Sequence, residues 1–64
     1  MDMTPEQCRA ARGWLGWSRE KLAEQARIGR NTVARYEEMK EVNDSTRLAI
    51  TICFERLGFE FPDD

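Results

Sequence analysis

Apolar residues recur along this chain at spacings of three and four, the period of a helix with one buried face. Cys8, Ala11 and Leu15 form the first such stripe. It follows Thr4-Pro5-Glu6-Gln7, where Thr4 can cap, Pro5 suits the first helical position and Gln7 can close a capping box. The spacing predicts a helix to about Leu15, with Gly16 as its left-handed stop. Two of the three stripe residues are small, so Trp14 or Trp17 is expected to fill the space beside them, and both read as core residues rather than a stacking platform for single strands. Ser18 caps a second predicted helix, Arg19 to Ala26, that buries Leu22, Ala23 and Ala26. Arg27-Ile28-Gly29 interrupts it. A third helix is predicted from Arg30 to about Met39, burying Val33 and Tyr36, before a polar loop to Asn43. Asp44 or Ser45 then caps a fourth, running to about Leu57 with Ile50, Cys53, Phe54 and Leu57 inward, and Gly58 ends it. The tail Phe59-Glu60-Phe61 alternates with the period of a strand, and Pro62 stops it. The pattern predicts an all-α fold of four helices with a short extended C-terminal tail.

Length narrows this to one domain, residues 1–64, without room for a second core. A chain of this size buries only about 60% of its unfolded surface, so regular helix packing or a partner subunit must supply stability. Cys8 and Cys53 make no disulfide framework and cannot complete a four-ligand zinc site. They read as small hydrophobes on apolar stripes. The sequence holds no His. No nucleophile–base pair stands out, so no enzyme, cofactor or metal is implied. The acidic start Met1-Asp2-Met3-Thr4 is unlike a secretory leader, and no apolar run could span a bilayer. The expectation is a cytoplasmic chain without membrane contact, its thiols reduced.

The formal net charge of −2 argues against nucleic acid until its distribution is considered. From Arg9 to Arg35 seven Arg or Lys face only Glu20 and Glu24, whereas from Tyr36 onward Lys40, Arg47 and Arg56 face eight acidic residues. One half is basic and the other acidic, which suits an anionic partner on one side.

Two short helices joined by a three-residue turn, with Ala23 where they cross, form a tight helix-turn-helix over about residues 18–39. Leu22-Ala23, Ala26, Ile28, Val33 and Tyr36, preceded by Leu15-Gly16-Trp17-Ser18, resemble the Cro/CI (XRE) family of bacterial and phage repressors over Thr4 to Gly58. The resemblance implies a lambda-repressor-like domain whose recognition helix enters the major groove. On that basis Arg30, Asn31, Thr32 and Arg35 are the base-contacting candidates. Arg pairs with guanine, Asn with adenine, and the Thr methyl meets a thymine methyl. Arg19, Lys40 and Asn43 are the phosphate-contacting candidates. Arg12 and Glu37 match an ion pair common in these repressors. Arg27 stands where the family usually has Gly and is expected in a left-handed conformation, and Gly29 replaces the usual Ser or Thr cap.

Phe59 and Phe61 lie on one side of the predicted tail and are hard to bury in so small a monomer. Together with Phe54 and Leu57 they are the candidate homodimer interface, in which two equivalent tail strands would pair across a twofold axis or the aromatics would pack on the fourth helix of the partner subunit. The functional expectation is a homodimeric repressor on a palindromic operator in double-stranded DNA. The alternative is an adaptor or antitoxin whose acidic half, Tyr36 to Asp64, binds RNA polymerase, a toxin or another regulator.

Overall fold

Each helix begins on a residue with extended backbone and is followed within three residues by one in the left-handed region, and this punctuation fixes the path of the chain. The computed structural model describes residues 3–61. Its elements in chain order are α1 (Pro5–Leu15), α2 (Arg19–Ala26), α3 (Arg30–Glu37) and α4 (Asp44–Glu55). Among the described residues there is no strand. Thr4 opens α1 with the full capping box: its hydroxyl accepts from the Gln7 N–H at 3.2 Å, and its own N–H donates to Gln7 Oε1 at 2.8 Å. Ser18 Oγ accepts from the Lys21 N–H at 3.0 Å and opens α2.

The four exits share one hydrogen-bond pattern. Gly16, Arg27, Met39 and Gly58 have φ of 71, 61, 64 and 96°. The next residue in each case donates its N–H five residues back: Trp17 to Arg12 O, Ile28 to Ala23 O, Lys40 to Arg35 O and Phe59 to Phe54 O. These are Schellman stops, which satisfy the last carbonyls of each helix and reverse the chain. At three of them the residue after the stop is Trp17, Ile28 or Phe59, and all three pack against the core. These three stops therefore aim the following apolar residue inward.

The core is built from Met3, Cys8, Ala11, Leu22, Ala23, Val33, Tyr36, Ile50 and Phe54. Phe54, Leu22, Ile50 and Val33 are fully enclosed, each stabilising the fold by about 1.5–3 kcal/mol. The Phe54 ring is the hub of an aromatic group. Trp17 stacks on it at 6.1 Å, while Phe59 and Phe61 meet it edge-on at 5.6 and 6.3 Å. Tyr36 spans the core to donate its hydroxyl to Met3 O at 2.8 Å.

Several expectations are corrected here. The α3 helix stops at Glu37 rather than Met39, because Met39 adopts the left-handed stop itself. Asn43, not Asp44 or Ser45, occupies the cap position of α4; its carbonyl accepts from the N–H groups of Thr46 and Arg47. Because α4 ends at Glu55, Leu57 leaves the helical stripe and is half exposed, and Phe59, turned back by Gly58, fills the inner position instead. Phe54 has no surface left for a partner, being consumed by the core of its own chain. The Phe59 and Phe61 rings fold onto that core, parallel to one another at 6.3 Å, instead of projecting from a strand. Trp14 is 83% exposed, whereas Trp17 packs against the core and stacks on Phe54. Pro62, expected to stop the tail, lies outside the described residues.

Candidate nucleic-acid interface

The turn between α2 and α3 is where local sequence positions the candidate DNA-contacting groups. Arg27 closes α2 in the left-handed region, Ile28 drops into the core and Gly29 starts α3 with extended backbone. Gly29 offers no side-chain cap, and its carbonyl accepts from the N–H groups of Thr32 and Val33. The α3 helix then divides cleanly. Val33, Tyr36 and Glu37 are buried, whereas Arg30, Asn31 and Arg35 are exposed and Thr32 is half-buried. The four residues expected at base edges thus occupy the outer side and leading end of α3.

The helix is anchored from behind by Glu37, whose side chain is wholly inaccessible. Arg12 grips it with two prongs, Nε donating to Oε2 at 2.7 Å and Nη2 to Oε1 at 2.8 Å. Arg19 Nε donates to Oε1 at 3.0 Å and the Cys8 thiol to Oε2 at 3.2 Å. Arg9 Nη1 donates to the Glu37 carbonyl oxygen at 2.6 Å. Burial by itself pushes the Glu37 carboxyl up, but the hydrogen bonds from Arg12, Cys8 and Arg19 outweigh it and hold the group below the usual range. Burial, then the Glu37 carboxylate, drives the Cys8 thiol far above its ordinary value. The expected Arg12–Glu37 contact is present, but it is one part of a cluster joining α1, α2 and α3. Neither Arg9 nor Cys8 was expected in it. An Arg one helical turn after Pro5 looks like a solvated surface group, and only the fold brings it to the end of α3.

The expected phosphate-contacting residues border this anchor. Arg19 reaches past Glu37, its Nη1 3.6 Å from Glu38 Oε2, and Lys40 Nζ lies 3.4 Å from Glu38 Oε1. Arg30 Nη1 is 3.8 Å from Glu20 Oε2 in the first turn of α2. Arg35 Nη2 donates to the Glu41 carbonyl at 2.9 Å and pins the loop between α3 and α4. Asn43 is exposed at the start of α4. It lines a polar hollow of about 270 Å³ together with Thr32, Arg35, Glu41, Val42 and Thr46. The structure brings Thr32, Arg35 and Asn43 together there, and Arg19 and Lys40 together around Glu38.

Among the described residues no group of acidic or Cys side chains could hold a metal ion, and no helix is long and apolar enough to cross a membrane.

Comparison with known families adds to this geometry. The family model for the helix-turn-helix domain matches residues 9–46, more than half of the chain and the whole of the α2–turn–α3 unit. No curated protein matches the chain. The match covers the segment that carries the exposed face of α3 and the Glu37 anchor behind it, and so the chain belongs to the helix-turn-helix family of Cro/CI (XRE) type, whose members are DNA-binding regulators of transcription.

Proposed function

We propose that this chain is a transcriptional repressor that binds a palindromic operator as a homodimer and blocks the promoter by occupancy. The observation that carries the reading is the polarity of α3. Its buried side is locked by Val33, Tyr36 and Glu37, and its outer side offers Arg30, Asn31, Thr32 and Arg35 to a ligand. These residue types match the donor and acceptor patterns of the major groove. In this reading Arg19, Lys40 and Asn43 contact phosphates and set the register of α3. Leu57, Phe59 and Phe61 contribute to the subunit contact, with half-exposed Leu57 at its centre. Two recognition helices related by a twofold axis would then meet successive major grooves about 34 Å apart.

Fluorescence anisotropy with duplexes from the region upstream of the coding sequence tests this, comparing the native chain with Arg30→Ala/Arg35→Ala at two salt concentrations. Sequence-dependent binding, weakened at least about thirtyfold in the double variant, supports the reading. Binding of equal strength to upstream and random duplexes overturns it and favours a protein partner for the acidic half.

A further inference from the structure

The cationic side chains on the candidate DNA face are engaged within the protein itself. Arg30 lies against Glu20 at 3.8 Å. Arg19 and Lys40 share Glu38, at 3.6 and 3.4 Å. Both acids are well exposed, with 69% of the Glu20 side chain and 47% of the Glu38 side chain accessible. Neither is needed to satisfy a buried group: Glu37, not Glu38, holds the anchor, and Ser18, not Glu20, caps α2. Two carboxylates thus stand on the surface that must approach a polyanion, within reach of three of the positive charges that would neutralise it.

We propose that Glu20 and Glu38 act as an electrostatic brake on sequence-independent DNA binding, an inference that rests on the DNA-binding reading above. The sequence-independent part of protein–DNA affinity comes from replacing counterions on phosphates with Lys and Arg. A cation already paired with a carboxylate gains less from a phosphate, since it must leave the pair and the exposed carboxylate is repelled by the DNA. Arg30 gives up Glu20 with compensation only where a base edge offers it a two-pronged contact. Glu38 lowers the return from both Arg19 and Lys40 on every duplex. The recognition face thus carries its own counter-charges.

The test uses a random-sequence duplex and needs no operator. Anisotropy titrations at several salt concentrations compare the native chain, Glu20→Gln, Glu38→Gln, the double variant and Glu60→Gln. Glu60 lies in the tail beside α1, lining a groove with Trp14, so its variant makes the same change in net charge away from the α2–α3 pairs. The expected result is tighter binding by about two- to fivefold for each single variant and on the order of tenfold for the double. A steeper salt dependence should accompany it, because more cations reach phosphates. Glu60→Gln should change affinity less than either. Equal affinities for the native chain and the double variant overturn the brake while leaving the DNA-binding reading intact. Equal gains from Glu60→Gln and Glu38→Gln also overturn it, since net charge alone would then explain the effect. Absence of binding to random and upstream duplexes by every variant overturns both proposals.

Discussion

Arg12 and Glu37 meet as a two-pronged pair, Nε to Oε2 and Nη2 to Oε1, across the interface between the first and third helices. Arg12 keeps some access to water, whereas the Glu37 side chain has none. The pair therefore makes unequal demands on its members. Without Arg12 the Glu37 carboxylate would stay buried with only the weaker contacts from Arg19 and Cys8. Breaking a buried pair from one side costs about 3–5 kcal/mol, close to the whole stability of many small domains. Arg12→Ala is expected near the lower end of that range. Arg12→Met/Glu37→Leu, which removes both charges, should be less destabilised than Arg12→Ala. Urea denaturation of the two variants measures this, and a double variant weaker than the single would contradict it.

The same cluster sets the response to acid. Glu37 is held below its usual range because the arginine and thiol hydrogen bonds outweigh burial. For a carboxyl whose folded value is depressed, the unfolded state takes up protons first as the pH drops. The stability that Glu37 contributes is thus fully present above the ordinary glutamate value of about 4.3 and is lost as the pH falls below it. Thermal unfolding from pH 7 to pH 3 should show a drop that begins below about pH 4.5 and is smaller in Arg12→Met/Glu37→Leu. An equal drop in both would assign the acid response to other carboxyls.

Cys8 offers a probe of whole-chain opening. Its thiol is inaccessible, donates to Glu37 and titrates far above the ordinary range, so almost no thiolate is available to a labelling reagent. Cys53 is half-buried and raised by burial, with Arg56 pulling the other way. Disulfide exchange with an aromatic reagent at pH 8 should modify Cys53 first. In Cys53→Ser, labelling of Cys8 should follow the global unfolding rate and accelerate with urea in proportion. Fast labelling of Cys8 without denaturant would mean that α1 opens locally.

How much of this was legible in the sequence depends on how far each feature reaches along the chain. The caps at Thr4 and Ser18, the stop at Gly16 and the left-handed Arg27 all depend on neighbours within five residues, and the sequence reading places them correctly. Features set by tertiary contact were misread. Met39 looks like a helical residue, but Tyr36 and Glu37 are fixed in the core and the chain must reverse to reach α4. Leu57 fits the apolar period of α4 yet lies past its end, and Trp14 fits that of α1 on a side that no other helix covers. For the site, the family resemblance links Glu37 to Arg12, 25 residues away, whereas Cys8, Arg9 and Arg19 carry no such signal and converge on Glu37 only once three helices pack.

The two tryptophans test that distinction directly. Trp17 stacks on Phe54 and packs against the core, while Trp14 is almost fully exposed. Trp17→Ala should cost about 1–3 kcal/mol, as expected for truncating a half-buried aromatic. Trp14→Ala should fall within about 0.5 kcal/mol of the native chain when measured as a dilute monomer. In Trp14→Phe the remaining fluorescence should be blue-shifted, and in Trp17→Phe it should resemble indole in water. The reverse pattern would place Trp14 in the core.

The left-handed stops give a final, paired prediction. Gly16 and Arg27 play the same role at the ends of α1 and α2, with φ of 71 and 61° and the same backward hydrogen bonds. They differ in that only Gly adopts this conformation without a steric penalty between Cβ and carbonyl oxygen. For an ordinary residue the penalty is about 1–2 kcal/mol. Glycine recovers it but gives back about 0.5–1 kcal/mol through the extra freedom of the unfolded chain. A Cβ added at Gly16 meets nothing within 4 Å, so backbone strain alone decides its effect. Gly16→Ala should therefore destabilise by about 1 kcal/mol, and Arg27→Gly should stabilise by up to about 1 kcal/mol. Arg27 is exposed and lies outside the α3 face, so its replacement should not remove a base contact. Thermal melts of the two variants read both signs in one experiment. A loss of stability in Arg27→Gly would show that the Arg27 side chain contributes more to the turn than its backbone strain costs.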